Sequence, residues 1–249
     1  MPVRSGGTRV LMFFLLLSVA TPFWLQSQTV DHSAFDMLCG MHVKRDGTVH
    51  YEGFRSSVFS RYVLSFASLD TAAMSAEERL ATLVNVYNAC VIQNVLDHAP
   101  LSSVMDISSF FDRQKFRVAG RLYSLREIEK EFLLPLAPAL SPFALTLAAR
   151  SAPVLPRRAY RPEGIRGQLQ RAAERFMQDR TRNRLDRSAG VLYLSMIFQW
   201  HREDIERVFG SLRQCAMHFL GEEDSRWLAD NEIDIQFLPW DWSLNERQP

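Results

Sequence analysis

Residues 75–98 constrain the fold of this chain more than any other stretch. Ser75-Ala76-Glu77-Glu78 is a capping box, in which Ser and the Glu three residues on satisfy backbone N–H groups orphaned at a helix start. Leu80, Val84, Tyr87, Val91 and Val95 then fall on one stripe at helical spacing. The helix is predicted to run to about His98, with Pro100 just beyond its end. A long apolar-striped helix needs other elements to cover it, and the rest of the chain supplies short ones. Residues 31–69 read as a helix, a turn-strand and a second helix, with Asp46-Gly47 as the turn and Thr48–Tyr51 as a β-prone run. Phe116–Val118 and Arg121–Tyr123 flank Ala119-Gly120 as a hairpin. Ser124–Glu127 is a second capping box, opening a helix expected to end before Pro135.

Further along, Phe143–Leu147 fits either a buried strand or a helix turn. Ile165, Leu169, Ala172 and Phe176 form the stripe of an amphipathic helix with Arg on its outer face. Val191–Trp200 is β-prone, Glu203–Phe219 helical, and Ile233, Ile235 and Phe237 alternate as a strand leading into Trp240-Asp241-Trp242. Helices mixed with short strands, without a regular βαβ rhythm, predict an α+β fold: one helix-rich domain over residues 31–249 with short strands and hairpins.

Ahead of it, residues 1–28 read as a signal peptide or N-terminal anchor. Arg4 and Arg9 precede an apolar run from Val10 to Ala20, and Ser18-Val19-Ala20 offers a small-x-small cleavage pattern. The run is short for a membrane span, unless Phe23, Trp24 and Leu25 extend it. The chain is therefore expected to be exported, periplasmic or extracellular, with membrane contact only through this segment if it is retained.

Composition sets looser limits. A chain of 249 residues, 47% hydrophobic, 23% charged and with a net charge of +1, has no global attraction to nucleic acid. Charge is uneven: residues 157–187 hold ten Arg against four acidic residues, whereas residues 201–249 hold five Arg against eleven acidic residues. Such segments either face each other or solvate their helices; a basic binding face is the other possibility. Cys39, Cys90 and Cys215 are too few and too widely spaced for a disulfide framework. Cys90 reads as a small buried hydrophobe. Cys39, His42 and His50 lack a visible fourth ligand, so neither a metal nor another cofactor is expected.

Three short motifs invite a functional reading. Asn85 and Asn88 in N-V-Y-N lie on one helix face, where Asn is a poor helix former and needs hydrogen-bonding work to do. That work is either a buried bracket tying a loop to the helix or a ligand contact. In L-Y-L-S-M-I-F-Q-W-H-R-E-D, residues 192–204, Glu203 and Asp204 stand at a helix N-terminus, where the dipole favours carboxylates. His201 beside them fits acid–base chemistry or a solvated role. In Trp240–Asn245, W-D-W-S-L-N, aromatics around Asp241 mark a segment docked into the domain.

Together these motifs, in this order, resemble the DUF547 family, whose pattern is an N-A-Y-N helix, a segment near H-F-A-L-N-C-A-S-x-S-C-P, an S-x-x-F-x-W-Y-x-E-D-F stretch and a closing Y-D-W-S-L-N. Asn85, Tyr87 and Asn88 match the first. Ser195, Phe198, Trp200, Glu203 and Asp204 match the third, with His201 in place of Tyr, and residues 241–245 match the last. The helix from Tyr160 through Phe176 is also similar. The second segment departs. Phe143, Ala144, Leu145, Ala148, Ser151, Pro153 and Leu155 follow the pattern, but Pro142 stands for its His, Thr146 for its Asn, and Leu147 and Ala152 for its two Cys. Lys130 stands for the His of an I-E-H stretch.

Cys and His are the parts of a thiolate nucleophile with its base, or of a metal or redox site. Pro, Leu and Ala supply none of these. The resemblance thus implies a family member without its thiol site, acting by binding a peptide, an envelope component or a protein partner. Asn85, Tyr87, Asn88, Arg150, Ser151, Trp200, Trp242 and Asn245 are the candidate binding residues. The alternative is a Cys-independent hydrolase or transferase using Glu203, Asp204, His201 and Asp241, which requires Glu203 or Asp204 to meet Asp241 in one cleft.

Overall fold

The structure, a computed structural model, describes residues 30–246. The expected export segment at residues 1–28 lies outside them. Helix α1 (Ser33–His42) and α2 (Ser57–Ser65) pack together and lead to α3 (Ala76–His98), capped by Ser75 and Glu78 as the sequence predicts. The single stripe expected on α3 understates its burial. From Leu80 to Leu96 every residue except Gln93 is buried, because α2, α6 (Ile165–Gln178) and the segment after residue 124 enclose it. Each fully buried aliphatic side chain contributes about 1.5–3 kcal/mol, so α3 is the axis of the main core.

The predicted hairpin forms: β1 (Phe116–Val118) and β2 (Arg121–Tyr123) pair antiparallel. Ala119 and Gly120 both have positive φ, 49° and 77°, the backbone a two-residue hairpin turn requires. After the second capping box the helix does not stop before Pro135. It runs as α4 (Leu125–Ile128), widens into a π-turn (Glu129–Leu133) and ends as α5 (Leu134–Leu136). In a regular helix the Pro135 ring would clash with the carbonyl one turn back; the π-turn immediately ahead of it shifts that register. Phe143–Leu147 is neither a strand nor an α-turn. Ser141–Ala144 is a short 3-10 turn, and the chain then extends through a positive-φ turn at Ala148.

A second core gathers behind this one. Strand β3 (Arg184–Asp186) pairs antiparallel with β4 (Val191–Leu194), and β4 pairs parallel with β5 (Asp234–Phe237). The β-prone run does not extend to Trp200. Ser195 caps a new helix through its hydroxyl, giving α7 (Met196–Trp200), then α8 (Arg202–Phe209). The expected single helix over 203–219 is broken at Gly210, whose φ of 88° ends α8 before α9 (Leu212–Phe219) begins. Helix α10 (Glu222–Asp230) completes the layer. Thr48–Tyr51 contributes only two isolated bridges, both at Val49, before the 3-10 turn that begins at Tyr51. The α+β, helix-rich fold class is as predicted.

Where the two charged segments meet, Arg187 pairs with both Glu223 and Asp224. Among the described residues no helix is long and apolar enough to cross a membrane.

Candidate functional site

Leu147 opens onto a cleft of about 570 Å³. Besides Leu147, five other parts of the chain line it: Tyr87 of α3, Phe111, the α4–α5 stretch with Arg126, Glu129, Lys130 and Leu134, the α7–α8 junction with Trp200, His201 and Asp204, and Trp242. One wall is aromatic. Trp200 and Trp242 stack with ring centroids 5.7 Å apart, Trp240 leans on both, and Phe111 touches Trp242. Trp200 remains 43% exposed, so part of its face is open.

The same cleft holds an acid–base pair. Glu129 Oε1 and His201 Nε2 are 3.4 Å apart, with each side chain only 16% exposed. Burial pushes the Glu129 carboxyl up to about 7; Arg126 and Lys130 pull it back, and Asp204 raises it further. Burial holds the His201 imidazole down to about 4, so it is neutral near pH 7 while Glu129 is close to half protonated. The π-turn places Glu129 here, and single π-turns inside helices recur at functional sites. Arg126 is bound through two nitrogens to Asp112, and Asp204 is paired with Arg207. Lys130 has no carboxylate partner among the described residues.

Of the residues proposed from sequence, Tyr87, Trp200, Trp242, His201 and Asp204 line this cleft. The others lie elsewhere. Asn85 holds both the carbonyl and the N–H of Tyr160, and Asn88 accepts from Thr146 N–H and donates to the Ala144 carbonyl. They are the buried brackets that mid-helix Asn residues allow, and they tie the 144–146 and 160 loops to α3. Asn245 accepts from the Tyr51 hydroxyl at 2.6 Å and donates to the Gly47 carbonyl. Ser151 accepts from Asp241 N–H, and Arg150 donates its N–H to the Ser243 carbonyl. Glu203 sits exposed in the first turn of α8. Hydrogen bonding from the Ser243 side chain, and from its N–H, holds the Asp241 carboxylate below the usual carboxylate range. Asp204 lines the cleft, whereas Glu203 and Asp241 do not.

Sequence reasoning missed Glu129, Arg126 and Phe111, and read Lys130 only as a lost His. The signal for Glu129 was a carboxylate four residues after the buried Leu125 and one after the buried Ile128, on the apolar face of its helix. Among the positions where the resemblance expects other groups, Leu147 and Lys130 face the cleft. Pro142, Thr146 and Ala152 are buried. Cys39, Cys90 and Cys215 are buried, unpaired thiols. Burial raises all three, Cys215 to about 12. Among the described residues no three His, Cys, Asp or Glu side chains come together as metal ligands.

A helix-rich α+β domain with an aromatic, charged cleft is the class of protein that this geometry defines. The model of the family described as "Protein of unknown function, DUF547" matches residues 71–177, which supports a DUF547 assignment for this chain. The match spans α3 to α6 and includes Glu129, Lys130 and Leu147, whereas Trp200, His201 and Trp242 lie outside it. No curated protein and no solved structure matches.

Proposed function

We propose that this is an exported, non-catalytic member of the DUF547 family that binds a peptide, an envelope component or a segment of a partner protein in the cleft beside Leu147. The observation that carries the reading is the persistence of the cleft. Leu147 and Lys130 stand where the resemblance expects Cys and His, yet the space around them is not collapsed into core, and aromatic and charged side chains line it together. Arg4, Arg9 and the apolar run that follows support export. The test compares the protein with Leu147→Trp, which fills the cleft. Both are incubated with envelope extract and the retained components identified by mass spectrometry. Components held by the wild type and lost by the variant are expected; identical sets would remove the cleft as the binding site.

A second reading, a Cys-independent hydrolase or transferase, is favoured by Glu129 and His201 rather than by Glu203 and Asp241. A buried carboxylic acid beside a neutral imidazole can donate and accept one proton near pH 7. Turnover of simple ester and amide substrates that is abolished in both Glu129→Gln and His201→Ala would establish it. Under the binding reading all three proteins show the same background.

A further inference from the structure

We propose that the cleft takes small ligands that join a carboxylate to a flat aromatic ring, and that a proton is taken up by the Glu129–His201 pair when they bind. This rests on the cleft being a ligand site and names its ligand class. The aromatic wall offers a stacking face in Trp200 and Trp242, with Phe111 beside them. Lys130 is exposed at the cleft with no carboxylate partner among the described residues, which gives an anionic group a counter-charge. The Arg126 guanidinium adds positive field although Asp112 occupies two of its nitrogens. The charges facing the pair are these two cations and Asp204 from α8, itself paired with Arg207; Tyr87 of α3 stays neutral, its hydroxyl raised by burial.

A ligand carboxylate placed beside Glu129 is a second like charge in a site that already disfavours ionisation through burial and Asp204. The protonated carboxyl is then doubly favoured, because it can donate a hydrogen bond to the incoming anion. Mostly buried side chains and a neutral His201 leave no competing cation within the pair. Binding is therefore linked to uptake of up to one proton, and affinity falls as pH rises past the point where free Glu129 ionises.

Titration calorimetry of the full-length protein with 3-phenylpropionate and with its amide, at pH 6 and pH 8.5 and in buffers of different ionisation heat, tests this. The acid is expected to bind more tightly than the amide at pH 6. Proton uptake is expected to approach one at pH 8.5, and affinity to fall by about tenfold per pH unit above neutrality. Glu129→Gln should bind the acid without proton uptake and with a flat pH profile, and Lys130→Met should erase the preference for acid over amide. Leu147→Trp should block both probes. Equal binding of acid and amide, or binding of the acid without proton uptake, overturns the inference while leaving the cleft a binding site. Failure of both probes to bind also overturns it, and the extract comparison with Leu147→Trp then decides the binding reading separately.

Discussion

Glu129 is the residue whose environment most exceeds what its position in the sequence announces. Its ordinary value of 4.5 is raised to about 7 in the fold, so between those values the folded chain holds a proton that the unfolded chain has released. Stability contributed by this group is complete below pH 4.5 and is lost as pH rises towards 7. His201 runs the other way: lowered from 6.5 to about 4, it makes stability fall as pH drops through that window. The two trends oppose each other between about pH 4.5 and 6.5. Glu129→Gln removes only the first, so its stability relative to the wild type should climb between pH 4.5 and 8 by on the order of 3 kcal/mol. Urea unfolding at the two pH values measures this, and parallel behaviour would mean the carboxyl is ionised without penalty. Asn88 makes a different residue-scale case. Asn88→Ala leaves the Ala144 carbonyl and the Thr146 N–H without partners in the core and should cost about 3 kcal/mol in the same assay.

At the scale of elements, what was legible in the sequence was local chemistry. Ser75 and Ser124 with their Glu partners, and the Ala119-Gly120 turn, encode structure within four residues, and all three form as expected. The failures arose where one element interrupts another. Ser195 reads as the continuation of a β-prone run, but its hydroxyl accepts from Ile197 N–H and starts a helix. Gly210 breaks what reads as one helix, and the π-turn carries a helix through Pro135 that the proline was expected to end. The cleft was illegible for a related reason: its lining comes from six regions, and sequence order does not reveal which of them meet. The second capping box positions the helix that bears Glu129. Ser124→Ala removes the acceptor for Glu127 N–H and should cost about 1 kcal/mol. Loss of the Glu129 titration in that variant, followed by NMR, would show that the cap also fixes the π-turn; an unchanged titration would confine the cap to stability.

Across the whole molecule, the two cores meet where Leu140 packs against both. The thiols are distributed between them, Cys39 and Cys90 in one and Cys215 in the other. None should react with a thiol reagent until its own core opens. Reaction of the three at one common rate under native conditions would indicate global opening, whereas early reaction of Cys215 alone would show that the second core opens independently. Either pattern is read by mass spectrometry of partly labelled protein.

The segment from Asp241 to Glu246 ties the molecule together in another sense. Its backbone bridges to Ser103, Ala149 and Val49, and the Tyr51–Asn245 hydrogen bond spans 194 positions. Contacts this far apart form slowly, because a long loop must close before any of them stabilises the chain. The α3 core has mostly nearer partners and can assemble first. Trp242 reaches the cleft only when the long loop closes, so a chain with the α3 core formed but this loop open lacks Trp242 in its aromatic wall. Recognition would then be a late kinetic acquisition, and a population halted before loop closure would be compact, helical and unable to hold a ligand.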